Sequence, residues 1–278
     1  ARGVEAWGRA GDVLIGFSTS GNSPNVIAAA VKAREKQMKV VGLLGRDGGK
    51  LRPLCDLSIV VPAYNEEQAL QLVLRELPRA RVAEIIGVDN GSRDGTFAAA
   101  QAARVKVVFE PRRGNGQACQ SGLHALSPQV DVIVFLDADH SDDSEDLPKL
   151  LEPLEQGQAD LVIGSRVLGA FEPGALTLQQ RLGNWLACRL MALRFGRRFT
   201  DLGPFRAIRR EVLTRLQVRD RTFGWNVEMQ MKAVKAGLRI VEVPVRYRPR
   251  IGRSKISGTL SGTLRAGARI LWTIARLW

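Results

Sequence analysis

The sequence predicts an α/β protein, a mostly parallel sheet with helices on both faces, preceded by an incomplete α/β segment. Short apolar runs alternate with amphipathic stretches almost from end to end, the pattern of strands joined by crossover helices. An apolar content of 45% over 278 residues suits a packed core. No internal repeat and no low-complexity linker interrupts the alternation.

The first unit is Gly11-Asp-Val-Leu-Ile-Gly-Phe-Ser-Thr-Ser-Gly-Asn-Ser23, which reads as a strand over 12–17 and a Ser/Gly-rich turn. A helix over 24–37 follows, capped by Ser23 and opened by Pro24. Such a turn aims backbone N–H groups and hydroxyls at one spot, which suits a phosphate monoester. A capped turn without any ligand explains the same residues. After a strand at 39–44, Leu54-Cys-Asp-Leu-Ser-Ile-Val-Val-Pro62 runs without a linker into the strand at 57–62.

Val61-Pro-Ala-Tyr-Asn-Glu-Glu67 closes that strand and opens a helix over 66–77. A base-and-ribose pocket belongs at such a strand end, although acids favouring a helix N-terminus account for the pattern equally. The strand 84–89 ends in Val88-Asp-Asn-Gly-Ser-Arg-Asp-Gly-Thr96, ahead of a helix over 94–103. Asp89 is placed to accept from a nucleobase edge, Gly91 and Gly95 permit tight turns, and Asp94 is also a good N-cap.

A strand at 105–110 and a helix at 115–126 lead to the apolar strand 131–136 and Phe135-Leu-Asp-Ala-Asp-His140. In an extended segment residues two apart share a side, so Asp137 and Asp139 are expected to face one cation and one diphosphate. Asp142, Asp143 and Asp146 read as the solvated start of a helix over 144–156. A strand at 160–165 and a helix at 178–195 come next.

Thr200-Asp-Leu-Gly-Pro-Phe-Arg-Ala-Ile-Arg209 carries a strand at 204–208 and leads into a helix at 209–216. Gly224-Trp-Asn-Val-Glu-Met-Gln230 opens a helix over 224–236. Asp201 and Glu228 are carboxylates that an acceptor site can use, and Glu228 is equally a structural partner for an arginine. Beyond the strand 239–247, Arg248-Pro-Arg-Ile-Gly-Arg-Ser-Lys-Ile-Ser257 gathers four cations around a glycine and two serines. It reads either as a clamp on a leaving diphosphate or as a solvated basic loop. The last helix, 258–277, sets Arg265, Arg269 and Arg276 against Leu260, Leu264, Leu271, Ile274 and Trp278. That pattern suits an anionic membrane surface and also a helix docked on the protein's own core.

The formal charge of +13 is uneven, with nine Lys/Arg and the single acid Glu242 between Arg239 and Trp278. No zinc-finger, RNP or helix-turn-helix pattern accompanies it, which ranks phosphorylated substrates and membrane above nucleic acid. Cys55, Cys119 and Cys188 show no metal-ligand spacing and suit free thiols in a reducing compartment. His124 and His140 alone exclude a His-rich zinc site. No apolar run reaches the roughly 18 residues of a membrane span. The chain begins at Ala1 with no signal segment and reads as a fragment at its N-terminus.

Residues 11–62 resemble the middle of a SIS-domain phosphoheptose isomerase, with Ser18-Thr19-Ser20-Gly21-Asn22-Ser23 matching its phosphate loop. The resemblance implies sugar-phosphate contacts from Ser18, Thr19, Ser20 and Ser23. It also implies that the acid/base residues lie outside this piece, so isomerisation is not expected. From Ser58 to Trp278 the chain resembles family 2 glycosyltransferases of the GT-A fold, above all the dolichyl-phosphate mannose synthase-like branch.

That resemblance implies a nucleoside site of Pro62, Ala63, Tyr64, Glu66 and Asp89. Asp137 and Asp139 would handle ribose, diphosphate and a Mg²⁺ or Mn²⁺ ion held by Asp139, and Arg250, Ser254 and Lys255 would close on the phosphates. Asn90 departs from the pattern, which often has a second aspartate there, a change that bears on base choice. The expectation is a chimera: an SIS-like segment at 1–56, a GT-A domain at 57–257 and an amphipathic helix at 258–278. It would transfer a sugar, with inversion, from a nucleoside-diphosphate sugar to a polyprenyl phosphate or another cell-envelope precursor, in the cytoplasm at the inner membrane face. A hydroxyl acceptor would need a base, Asp201 first and Glu228 second. The alternative is a sugar-phosphate-binding remnant without catalysis.

Overall fold

The computed structural model describes residues 1–19, 22–44, 57–78, 82–128, 130–252, 254 and 259–277. Of the expected site residues, Ser20 and Lys255 lie outside that set. The chain opens with α1 (Arg2–Trp7), which no sequence pattern announced; it packs on α2 (Pro24–Glu35). Between and after them, β1 (Val13–Ser18) and β2 (Lys39–Leu44) pair in parallel as a separate two-stranded sheet. A small core of Ala30, Ala33, Met38 and Val40 lies beneath it and reaches Ala83 of the larger unit.

Among the described residues the main sheet has seven strands in the order β5-β4-β3-β6-β8-β7-β9. They are β3 (Leu57–Ala63), β4 (Glu84–Asp89), β5 (Lys106–Phe109), β6 (Val132–Phe135), β7 (Leu161–Ser165), β8 (Arg206–Arg209) and β9 (Ile240–Pro244). Among the described strands only β8 runs antiparallel to its neighbours. The chain lays β3, β4 and β5 outward in one direction, then returns to the other side of β3 with β6. Strand order therefore reverses between β3 and β6, and an open α/β sheet binds ligands in the crevice outside the carboxyl ends at such a point.

Period-two alternation divides the core into two layers. Ile59 and Val61 of β3 face Leu70 and Leu74 of α3 (Glu67–Glu76), with α4 (Thr96–Ala102) and α6 (Leu147–Glu155) contributing to the same layer. Val60 points the opposite way, toward α5 (Asn115–His124). Gly122 of α5 sits so close to Val60 that a β-carbon there would collide with it. That second layer also contains α7 (Leu178–Phe195), α8 (Arg210–Leu216), α9 (Trp225–Lys235) and α10 (Leu260–Arg276). α7 starts with a capping box between Thr177 and Gln180 and stops at Gly196, in the left-handed conformation at φ 68°.

Two expectations change in the three-dimensional arrangement. The strand expected over 239–247 stops at Pro244, where its partner β7 ends, and the chain then peels toward the loop after β6. In α10, Leu264 and Leu271 do not gather with Ile274. Ile274 is buried against α7 and α9, while Leu264 and Leu271 face outward beside Trp272. No described helix is long and apolar enough to cross a membrane.

Candidate active site

The carboxyl ends of β3 and β4 are adjacent and in register, Ala63 opposite Asp89. Hydrogen bonds tie together the two turns that leave them. Asn65 N–H donates to Ser92 Oγ (2.9 Å), Arg93 N–H to Asn65 Oδ1 (2.8 Å) and Glu66 N–H to Thr96 Oγ1 (2.8 Å). Asn65 takes φ 51°, a left-handed bend that asparagine tolerates. Asp89 is buried and accepts from Ser92 N–H (3.0 Å). Pro62 and Tyr64 are half-buried along the same rim.

Asn90 is not turned toward a base. Its Nδ2 donates to the carbonyls of Glu110 (3.1 Å) and Arg112 (2.6 Å), and its Oδ1 accepts from Gly114 N–H (2.8 Å). The amide pins the 110–114 loop, a bond set that an aspartate could not make in full. That loop lays Arg113 over the Tyr64 ring at 3.5 Å. Gly114 at φ 142° lies against Arg221, whose carbonyl oxygen would collide with any β-carbon there. Glu110 anchors the other side. The Ser121 hydroxyl holds its carboxyl down to about 2 against the effect of burial, with Gln117 and Arg112 N–H assisting.

Across the switch point, β6 ends at Phe135, so Asp137 and Asp139 stand in a turn rather than on a strand. Burial pushes the half-buried Asp137 up to about 7, the Asp139 charge adds to the rise, and Arg250 and Arg166 oppose it. Asp139 Oδ1 is held by the N–H and hydroxyl of Ser141. The three acids expected in solvent are instead buried. Asp142 accepts from Asp137 N–H (3.3 Å) and leaves Oδ1 without a partner. Asp143 caps the turn at Glu145, and Asp146 accepts from Arg246 N–H (2.6 Å). Burial, then the Asp137 and Asp139 charges, raises Asp142 well above the usual carboxylate range.

The segment after β9 supplies the cations. Arg246 pairs with Asp143 (3.0 Å) and Glu145 (2.8 Å), and Arg248 with Glu76 (3.0 Å). Arg250 bridges Glu66 (2.5 Å) and Asp139 (3.2 Å). Ser254 continues this segment. Among the described residues no three Asp, Glu, His or Cys side chains converge to enclose a metal ion. A guanidinium shared by Asp139 and Glu66 nevertheless marks a place for positive charge. The donor set fits a divalent ion that takes one or two carboxylates and completes its shell from a diphosphate.

Next to this site lies a cavity of about 420 Å³ between α7 and the loops at 166–181 and 198–201. Arg166, Arg181, Arg189 and Arg198 line it together with Phe171, Leu176, Trp185 and Phe199. Asp201, its one acid, is fully buried and gripped by Arg166 on both oxygens, at 2.7 Å each. Leu202 N–H occupies it further (2.8 Å). Glu228 is buried away on α9, accepting from the backbone N–H groups of Arg219 (3.1 Å) and Asp220 (2.5 Å) and pairing with Lys232 (2.9 Å). Both expected bases are therefore engaged by structural partners. At the N-terminus, the Ser18 and Ser23 hydroxyls bond each other (2.9 Å), so Ser23 does not cap α2 with its side chain, and Thr19 is exposed.

The sequence did not single out Arg113 or Arg166. The Gly114-Asn-Gly116 run beside Arg113 was a signal of close approach, whereas a lone arginine after β7 carries none.

The pattern of Glycosyl transferase family 2 matches residues 58–217. The chain is a family 2 glycosyltransferase. The transferase also carries a SIS domain match at residues 3–45. It is similar to the undecaprenyl-phosphate mannosyltransferase of Micrococcus luteus, 32% identical over 232 residues, covering 79% of this chain and 94% of that one. Its N-terminal part is similar to the phosphoheptose isomerase of Pelobacter propionicus, 61% identical over 64 residues but only 34% of that protein. A crystal structure of glucosyl-3-phosphoglycerate synthase from Mycobacterium tuberculosis, in complex with Mn²⁺, UDP and phosphoglyceric acid, superposes with a TM-score of 0.65. It covers 80% of this chain and 78% of that one at 24% identity. The transferase thus has the GT-A fold, mixed α/β with a mostly parallel sheet.

Proposed function

We propose that the transferase moves a sugar, with inversion, from a nucleoside-diphosphate sugar to a polyprenyl phosphate, using Mg²⁺ or Mn²⁺. The observation that carries the acceptor class is the cavity: four arginines and an apolar wall, with its one acid neutralised by Arg166. A phosphate with a hydrocarbon tail matches that chemistry. Such an acceptor is already an anion and needs no general base, which agrees with the committed state of Asp201 and Glu228. The similarity to an undecaprenyl-phosphate mannosyltransferase supports the same class.

In this reading Asp89, Tyr64 and the main chain at Pro62 and Ala63 hold the nucleoside. Asp137 takes the ribose, and Asp139 takes the metal. The divalent ion neutralises charge building on the leaving diphosphate. Arg250, Ser254 and Lys255 add positive charge to the departing group. Arg166 stands between donor and acceptor, gripping Asp201 while its charge reaches Asp137 and Asp142. The reading divides the chain into an SIS-like segment at 1–56, a transferase domain at 57–257 and a terminal helix at 258–278. α7 and α10 pack side by side, carry no acid, and expose Leu178, Leu182, Trp185, Leu264 and Trp272. That supports contact with an anionic membrane surface, and the reading places the action at the cytoplasmic face.

The test is thermal unfolding with UDP, GDP, ADP and CDP, each with and without Mn²⁺, followed by transfer to a short polyprenyl phosphate. At a hundred times Kd a ligand adds about 2.7 kcal/mol, a rise of roughly 5–10 °C at this size. A Mn²⁺-dependent rise with one nucleotide, lost in Asp139→Ala, is expected. Arg181→Met should keep that rise and raise the KM for polyprenyl phosphate about tenfold. No rise with any nucleotide would sink the reading.

A further inference from the structure

Arg250 does more in this arrangement than wait beside a phosphate site. Its guanidinium spans the switch point, touching Glu66 from the β3 turn and Asp139 from the β6 turn. Main-chain bonds fix the segment that carries it, with Ile251 N–H donating to the Asp139 carbonyl (3.0 Å) and Arg248 N–H to the Ser141 carbonyl (2.8 Å). Its Nε is buried and has no acceptor, so the guanidinium is held by charge at one end and unsatisfied at the other. The carboxylate it covers is the one that the proposed function gives to the metal.

We propose that Arg250 is the resident cation of the nucleotide-free transferase, and that a divalent ion and Arg250 compete for Asp139. This rests on Asp139 being the metal residue, as proposed above. The two cations cannot share Asp139 Oδ2 closely, because like charges at such range repel strongly. Among the described residues no third carboxylate joins the site to draw the ion in unaided. A nucleoside diphosphate changes both terms at once: its oxygens add ligands for the ion and give Arg250 a new anion. Metal uptake is therefore coupled to donor uptake, and Arg250 is the coupling residue. A site occluded nine-tenths of the time binds about tenfold more weakly than its intrinsic affinity.

The measurement is Mn²⁺ binding to the full chain without nucleotide, read from the free-ion signal in electron paramagnetic resonance. Wild type, Arg250→Met and Arg248→Met are compared, with Mn²⁺-dependent thermal shifts by UDP and GDP recorded on each. Arg250→Met should bind Mn²⁺ alone about tenfold tighter than wild type, and nucleotide should enhance its Mn²⁺ affinity less than it does in wild type. Arg248→Met, which removes a nearby cation that pairs with Glu76 instead, should stay within about threefold. Equal or weaker binding by Arg250→Met overturns the proposal, as does an equal gain in Arg248→Met, which would mean a general charge effect. If wild type shows the nucleotide shift while Arg250→Met shows no gain, only the competition fails. If wild type shows no nucleotide shift, the transferase site itself is misassigned and the competition falls with it.

Discussion

Glu110 shows how a single carboxylate can serve a site without touching a ligand. Its oxygens are used by Ser121, Gln117 and Arg112, which hold the loop bearing Arg113 over Tyr64. Because its pKa is depressed from an ordinary 4.5 to about 2, its contribution to stability is full above 4.5 and is lost as pH falls toward 2. The midpoint of Glu110→Gln should therefore lie below wild type at pH 6, and the gap should close between pH 4.5 and 2. A gap that persists unchanged at pH 2.5 would show that the loss is steric. At this scale the sequence was partly legible. Asp89 closes β4, and Asp137 and Asp139 follow β6 in a turn rather than in the extended segment the motif suggested. The burial of Asp142, Asp143 and Asp146 was hidden, because an acid-rich run is ordinarily solvated and its arginine partners lie about a hundred residues away. Asp201 misled for the same reason: nothing in its own segment announces Arg166.

Among elements, α5 is the most tightly constrained at its start. Gly114 precedes it at φ 142°, and Gly116 N–H and Gln117 N–H donate to the carbonyls of Thr222 (3.2 Å) and Arg221 (2.8 Å). Gly114→Ala should cost about 1–3 kcal/mol in urea unfolding, from a strained backbone and the encounter with Arg221. It should also weaken the nucleotide-induced thermal shift, since Arg113 is its neighbour. A variant with wild-type stability would show that the loop can move aside. The helices after α1 were readable from amphipathic period and flanking residues, and observed ends differ from expected ones by a few residues. For α10 the sequence left membrane surface and core both open, because a helical wheel shows which residues cluster but not which of them meet the core. α7 already covers part of the layer that α10 joins, leaving Leu264 and Leu271 outward.

For the molecule as a whole, the question is what the first 56 residues do for the rest. Their sheet is separate, and their links to the transferase include Ala83 packed on the Ala30–Ala33 core and the Lys39–Asp131 ion pair. The seven-stranded sheet is complete without them. A protein spanning 57–278 should fold and keep the Mn²⁺-dependent nucleotide shift of the full chain. Loss of cooperative unfolding in that truncation would show that the segment supports the sheet. Two family patterns were legible in the sequence, one on each side of the segment before β3, whereas the separate two-stranded sheet had to be seen.

Arg246, Arg248 and Arg250 each find an acid, while the alternate positions Val245 and Tyr247 are buried. Spacing, more than the identity of any one cation, is what this stretch encodes. A single inserted residue between Pro244 and Arg248 would shift the phase of this alternation, sending the next guanidinium inward and an apolar ring out to the carboxylates. Exchange of one arginine for lysine leaves that phase intact. Length change in these few codons should thus be far less tolerated than substitution, a constraint on how this gene can drift.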